Sequence, residues 1–240
     1  ALFEKGTYTV YTPTTGDNLI ENGHFGMVKT EANVGWDTSK NGTLVPDGGS
    51  WSKGYNSGVT NASTSYHAHL KDLNPSSTTV TDHDYVAEFV DTAANTWLGL
   101  TYTFVTNILQ AGKTYAITYD VYRVSGNSKV TVGLYYRTTS NSTLNFYSGA
   151  THYSMKATGV WETVTSVFTL KDDFDSSAWS YLYFYGYYGD IGTHYLDNVS
   201  MYEVTATEYL TGDPIELDPS TLTTPTGWQF AGYNVPYAST

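Results

Sequence analysis

Cysteine is absent from the sequence, so neither a disulfide framework nor thiolate chemistry is available to it. Charge is scarce: Asp, Glu, Lys and Arg make up only 14% of the chain, and 11 basic residues face 23 acidic ones. The basic residues do not cluster, and a formal net charge of -12 repels a phosphate backbone, which argues against nucleic acid as a partner. The same balance disfavours sulfated glycans and anionic membranes. No apolar run is long enough to span a bilayer, so membrane insertion is not expected. Amphipathic helices are missing too, because no segment carries a clear apolar i, i+3, i+4, i+7 pattern. No repeat of definite period is visible. The chain begins at Ala1 without a signal-peptide pattern and reads as a processed chain or a piece of a longer one.

Aromatic residues are abundant: 23 Tyr, 9 Phe and 6 Trp, 16% of the chain. That content excludes disorder despite the Thr, Ser, Asn and Gly richness. Tyr, Thr and Val favour strands, and Tyr joins an apolar ring to a polar tip. Lack of cysteine combined with this composition suits an exported bacterial protein, so a secreted or cell-surface location is expected.

Alternating apolar residues recur along the chain. Residues 17–25 read as a first strand with a turn. Residues 84–90 alternate. In 97–106, Leu98, Leu100, Tyr102 and Phe104 share a face. In 114–124 the shared face is Tyr115, Ile117, Tyr119 and Val121. Ser125-Gly126-Asn127 reads as a hairpin turn into 129–138, where Val130, Val132, Leu134 and Tyr136 lie together. Residues 160–170, 179–188 and 195–204 complete the series. Strands separated by turns, without crossover helices, predict an all-β fold: a two-sheet antiparallel β-sandwich of the jelly-roll kind. Residues 37–82 read as long loops with one or two short strands, the usual seat of binding residues on such a scaffold. The expected organisation is an N-terminal flank over 1–16, the sandwich over 17–204, and a linker or surface-packed tail over 205–240. That tail holds four of the seven prolines.

Five short motifs occur in order. Asn18-Leu19-Ile20-Glu21-Asn22-Gly23-His24-Phe25 is followed by Gly35-Trp36, then Ala111-Gly112-Lys113-Thr114-Tyr115, Trp161-Glu162-Thr163-Val164 and Leu196-Asp197-Asn198-Val199. Together they resemble the carbohydrate-binding modules of families 4, 9 and 22 and their relatives with the galactose-binding-like jelly roll. The resemblance spans residues 17–204. It implies glycan bound in a groove on one sheet or at loop tips, with no catalysis. It also implies a structural calcium ion between the N-terminal loop and the last strand, with Asp197 as side-chain ligand. Gly26 stands where such modules often carry an acidic ligand. The other reading of Asp197 is a loop cap hydrogen-bonded to backbone N–H groups.

A sugar ring presents an apolar C–H face and a hydroxyl rim, so its site needs aromatic platforms and a few polar partners. Alternation puts Tyr181, Tyr183, Tyr185 and Tyr187 opposite Leu182 and Phe184. It likewise puts Asp120 and Tyr122 opposite Val121, and Tyr135 and Arg137 opposite Leu134. Glu88 and Trp97 also lie opposite the apolar faces of their strands. If these strands share a sheet, one face displays Glu88, Trp97, Asp120, Tyr122, Tyr135, Arg137, Tyr183 and Tyr185 together. Trp51 and Tyr55, in a Gly-rich stretch, are expected as loop platforms. Each has a plainer reading. The Tyr ladder can be cross-strand pairing beneath the 205–240 tail, Trp97 can be core, and Asp120 with Arg137 can be a weak ion pair. Trp161 is expected in the core. His67 and His69 share a strand face but lack a third ligand at a recognisable spacing.

The expected partner is a neutral plant polysaccharide, β-1,4-xylan first and β-glucan next. A monomeric module covalently linked to a glycoside hydrolase would raise the enzyme's local concentration on substrate. A structural or adhesive surface domain without glycan specificity is the alternative. A hydrolase is disfavoured because no strand carries a paired-carboxylate signature.

Overall fold

The computed structural model describes residues 7–14, 16–25, 51–55, 66–74, 82–91, 98–146, 151–186 and 191–210. All of the regular structure among these residues is β, in two antiparallel sheets. The first sheet contains β1 (Thr7–Pro13), β3 (Tyr66–Asp72), β4 (Tyr85–Asp91), β6 (Thr114–Gly126), β10 (Trp161–Thr169) and β12 (Gly192–Leu210). Its order is β10-β6-β12-β4-β3, with β1 paired to the far end of β12. The second contains β2 (Trp51–Tyr55), β5 (Leu98–Phe104), β7 (Lys129–Thr138), β8 (Asn141–Phe146), β9 (Thr151–Ser154) and β11 (Ser180–Gly186). Its order is β2-β5-β11-β7-β8, and β9 also pairs with β7. The predicted β-sandwich is the observed architecture.

The alternation sets the core. Ile117, Tyr119 and Val121 of β6, Val132 and Leu134 of β7, Leu100 of β5, and Leu182 and Phe184 of β11 are all buried between the sheets. Full burial of such a side chain contributes about 1.5–3 kcal/mol. Tyr119 of the first sheet meets Phe184 of the second edge-to-face, with centroids 5.3 Å apart.

Residues 17–25 depart from the expected strand and form a series of turns. Asn18 explains why. Its Oδ1 accepts from the amides of Ile20 and Met201, at 3.0 and 2.9 Å, tying the loop to β12 rather than to an extended neighbour. Phe25 then plugs the core against Trp51, and Gly23 lies so close to β12 that a Cβ there would fall 1.8 Å from the Val199 carbonyl oxygen. The sandwich also extends past both expected boundaries, since Thr7–Pro13 pairs with Val204–Leu210.

The expected hairpin at Ser125-Gly126-Asn127 is a corner between sheets. β6 pairs with β10 and β12, whereas β7 pairs with β11, β8 and β9. Gly126 has φ +78° and lies across from Gly192, and the Asn127 amide donates to the Ile191 carbonyl at 3.1 Å, so the turn is held by β12's entry instead of by β7. Glycine is needed here because a Cβ would come 2.0 Å from the Ile191 oxygen.

Trp51 is the clearest correction. Expected as an exposed loop platform, it opens β2, pairs with Tyr102 and is 1% exposed. Its ring packs on Phe25, Tyr102 and Phe184, and Nε1 donates to the Glu21 carbonyl at 3.0 Å. A ring this large finds its place in the core once a strand carries it there. Tyr55 pairs with Leu98 through its backbone; its side chain, the whole of Trp97, and residues 211–240 lie outside the described residues.

Candidate functional site

The corner at Gly126 divides the nominated residues. Asp120, Tyr122 and Glu88 point outward from the first sheet. Tyr135, Arg137, Tyr183 and Tyr185 point outward from the second, on the opposite side of the molecule. The single shared face expected from the strands is therefore two faces, and Asp120 and Arg137 cannot pair.

On the second sheet, β11 and β7 are in register with Tyr181 opposite Tyr135 and Tyr183 opposite Gly133. This register builds a continuous ladder. Trp179 stacks on Tyr181 at 5.5 Å and 18°, and Tyr181 stacks on Tyr135 at 4.9 Å and 7°. Tyr135 leans on Tyr183 at 5.9 Å, and Tyr183 on Tyr185 at 4.8 Å. From Ser180 to Tyr185 the strand runs about 17 Å. Arg137 lies with its guanidinium 5.6 Å from the centre of the Trp179 ring. Its buried Nε has no hydrogen-bond partner among the described residues.

Exposure falls steeply along the ladder, from 43% at Trp179 to 6% at Tyr183 and 2% at Tyr185. This corrects the expectation that Tyr183 and Tyr185 form the open platform: their direction is as expected, but they are covered. The accessible part is Trp179, Tyr181, Tyr135 and Arg137. Burial raises the phenol pKa values of Tyr181 and Tyr135, the latter also through Tyr185 and Tyr181, so both hydroxyls stay protonated and able to donate as well as accept. Trp179 and Tyr181 lie outside the expected set of binding residues; the i, i+2 spacing from Tyr183 back to Trp179 is the signal that finds them.

The first sheet's outer face carries a different row. Trp161, Tyr122, Tyr195 and Glu88 are successive partners across β10, β6, β12 and β4. Tyr122 stacks on Tyr195 at 5.5 Å and 14°, and Trp161 stacks on His83 at 3.8 Å and 8°. Trp161 is thus half-buried on the outer face, not in the core as expected. Glu88 is buried beneath Lys71, whose Nζ donates to it at 3.0 Å, so its carboxylate is spent on that pair and is not open to a ligand. The salt-bridged carboxylate raises the Lys71 pKa.

Beside this row the bulge in β12 between Asp197 and Ser200 sets two residues against one on β6. It turns Val199 into the core and lets Asn198, at φ 49°, reach across the face. The Asn198 amide nitrogen Nδ2 donates to Asp82 Oδ1 at 2.6 Å and Asp120 Oδ2 at 2.9 Å. Asp120 Oδ1 also accepts from Thr163 at 2.6 Å. Asp82, Asp120, Thr163 and Asn198 line a cavity of about 760 Å³ bounded by the N-terminal loop.

Asp197, the residue that the resemblance makes a calcium ligand, is 1% exposed. Its Oδ2 accepts from His83 Nδ1 at 2.9 Å and its Oδ1 from the Asn198 backbone amide at 2.8 Å. Calcium takes about six to eight oxygen ligands. Among the described residues the groups around Asp197 are the His83 imidazole and, through Asn198, the carboxylates of Asp82 and Asp120. Burial pushes the Asp197 carboxyl up to about 6, against the pull of His83. Burial lowers His83, but the Asp197 hydrogen bond and the neighbouring Asp82 and Asp120 outweigh it and leave its pKa raised.

No family model and no curated protein matches the sequence. Solved structures do match in fold. A putative sugar-binding protein from Bacteroides thetaiotaomicron superposes with a TM-score of 0.53 at 14% identity, over 78% of this chain and 100% of that one. The CBM22-1–GH10 modules of a Clostridium thermocellum endo-1,4-β-D-xylanase, in complex with xylohexaose, give 0.50 at 10% identity, over 78% of this chain and 28% of that one. A cyclase from Fischerella sp. gives 0.52 at 15% identity, over 82% and 98%. The chain thus has the sandwich fold found in carbohydrate-binding modules. The cyclase shows that the fold alone does not fix what its faces do.

Proposed function

We propose that the chain is a non-catalytic carbohydrate-binding module for a neutral polysaccharide, xylan first, with its platform at the Trp179 end of the second sheet's outer face. The observation that carries this reading is the stacked ladder Trp179–Tyr181–Tyr135 with the Arg137 guanidinium beside it. The rings offer apolar faces to sugar C–H groups, and the protonated phenols and the Arg137 guanidinium beside Trp179 offer partners to hydroxyls. A fold neighbour caught with xylohexaose supports xylan as the first ligand to try. In this reading the protein is secreted or displayed on a bacterial surface and targets a covalently linked glycoside hydrolase to its substrate.

The burial of Tyr183 and Tyr185 favours a second reading, in which the ladder is sheet packing and the chain is a structural or adhesive domain. Affinity electrophoresis separates the two. The parent chain is run in gels containing xylan, β-glucan, galactomannan or no polysaccharide, beside Trp179→Ala and Tyr181→Ala. The expected outcome is retardation of the parent in xylan and free migration of both variants. Retarded variants would move the site off this face, and a parent that runs free in every gel would favour the structural reading.

A further inference from the structure

We infer that Asp175 is a positioning residue for the glycan platform. It touches no sugar. Its carboxylate closes the turn that presents Trp179, and its backbone ties that turn to Arg137. The inference rests on the glycan reading and adds to it a residue that acts through two others.

Trp179 stands just ahead of β11, whose pairing begins with Ser180 opposite Phe104. On its N-terminal side the Trp179 backbone is therefore held by the segment between β10 and β11. Phe174 anchors that segment. It is buried, meets Tyr136 edge-to-face at 5.2 Å and bridges to Thr138. The Thr139 amide donates to the Asp173 carbonyl at 2.8 Å. Trp179 lies several residues beyond this anchor, and each unconstrained residue between them adds freedom that a bound ring would have to give up.

Asp175 supplies the constraint. Its amide donates to the Arg137 carbonyl at 3.0 Å, and its own carbonyl accepts from the Ala178 amide at 3.2 Å. Its Oδ1 accepts twice from Ser177, from the amide at 3.1 Å and from the hydroxyl at 2.6 Å. A carboxylate that accepts from the amide two residues on imposes one turn conformation. Ser176 is clamped separately: its carbonyl accepts from the Asn107 amide at 2.7 Å, and its hydroxyl donates to Asn107 Oδ1 at 3.3 Å. That clamp keeps the turn beside the end of β5 and leaves the path from Ser177 to Trp179 to Asp175. The guanidinium of Arg137, whose carbonyl Asp175 holds, lies 5.6 Å from the centre of the Trp179 ring. One residue is thus bonded to the backbone on both sides of that contact. The Ser177 hydroxyl holds the Asp175 carboxyl below its ordinary 3.8; burial opposes this, and the two amide bonds and the Arg137 charge reinforce it. At neutral pH the acceptor is ionised, and its bonds are charge-assisted.

The test compares the full chain carrying Asp175→Ala, Asp175→Asn or Ser177→Ala with the parent, by near-UV circular dichroism and by calorimetry with xylohexaose. Trp179→Phe identifies the near-UV band of the stacked Trp179–Tyr181 pair. Asp175→Ala should lose that band and bind xylohexaose about tenfold more weakly, the effect of freeing one side chain that the ligand must then immobilise. Its urea midpoint should stay close to the parent's, because Asp175 lies outside the core. Asp175→Asn keeps an oxygen for Ser177 and should restore the band and most of the affinity. Ser177→Ala removes only the hydroxyl bond from an exposed side chain and should show the same loss in smaller measure. The inference is overturned if Asp175→Ala keeps the parental band, whatever its affinity, or loses the band yet binds like the parent. It is also overturned if Asp175→Asn does no better than Asp175→Ala. A parent that binds no xylohexaose overturns the glycan reading instead, and the band still decides whether Asp175 sets the Trp179 ring.

Discussion

Trp51 separates residues that make the fold from residues that meet a ligand. Trp51→Ala removes a ring that is 1% exposed and packs against three aromatic neighbours from the N-terminal loop, β5 and β11. Burying a ring of this size removes about 150–250 Å² from water, worth roughly 4–6 kcal/mol at 25 cal/mol per Å². Large-to-small changes of this type cost about 3–5 kcal/mol when measured. For a domain of this size that is a fall in Tm of roughly 6–20 °C. Trp51→Phe keeps most of the packing but strands the Glu21 carbonyl, which now accepts from Nε1, and should cost about 1–3 kcal/mol. Urea denaturation followed by far-UV circular dichroism measures both, with glycan affinity of the Phe variant measured well below its melting point. Unchanged affinity and a lowered urea midpoint are expected. A Trp51→Ala chain that melts with the parent would refute the core placement. A Trp51→Phe chain of parental stability that no longer binds glycan would show that the ring meets the ligand after all.

Two further outcomes follow from the packing. Glu162 accepts from the Tyr153 hydroxyl and the amides of Lys156 and Ala157; burial opposes its charge, but these bonds prevail and hold its pKa below the ordinary 4.5. A lowered pKa stabilises the fold above the unfolded-state value and is lost as pH falls through the folded one. Glu162→Gln should therefore lower Tm at pH 7, with the gap closing as the pH falls below 4.5; a gap of constant size in a Tm-versus-pH series would contradict this. Gly99 lies opposite Tyr185, and a Cβ there would fall 1.6 Å from the Phe184 carbonyl oxygen and 2.8 Å from the Tyr185 Cα. Gly99→Ala must therefore open the β5–β11 ladder, at a cost of roughly 3 kcal/mol or more, and a parental urea midpoint would argue against this pairing.

Alternation made the direction of nearly every core strand legible. Ile117, Tyr119 and Val121 point inward and Asp120 and Tyr122 outward, as the period of two requires. Sheet membership was not legible. Ser125-Gly126-Asn127 carries the local chemistry of a tight turn, and that chemistry is the same whether the next strand pairs back or crosses to the other sheet. The choice is made by Gly192 and Ile191, about 65 residues further on, which hold the turn from outside. A shared sheet would have joined Asp120 and Tyr122 of β6 to Tyr135 and Arg137 of β7; the two observed sheets separate them. Depth was hidden for a similar reason. Tyr183 and Tyr185 look like Tyr181 in sequence, yet they are buried where Tyr181 is half-buried. The Asp82–His83–Asp120–Asp197 cluster has no spacing signature, because three separate segments supply it.

The same short motif can support different chemistry because its fixed part is geometric. Leu196-Asp197-Asn198-Val199 produces a bulge: Leu196 and Val199 anchor in the core, and Asp197 and Asn198 are presented on the outer face. What that pair meets is decided by other segments. Here the turn before β4 brings His83 against Asp197, and an imidazole donates where an oxygen cage would need acceptors. The resemblance therefore transfers the bulge and its anchoring role. The same reasoning applies to β11. Its i, i+2 aromatic spacing sets up a ladder, but the Trp179 end, where the ring is open and the Arg137 guanidinium lies beside it, is where apolar and polar groups come together. The glycan reading thus rests on a segment outside its own motif, and Arg137 of β7 is the partner worth changing first.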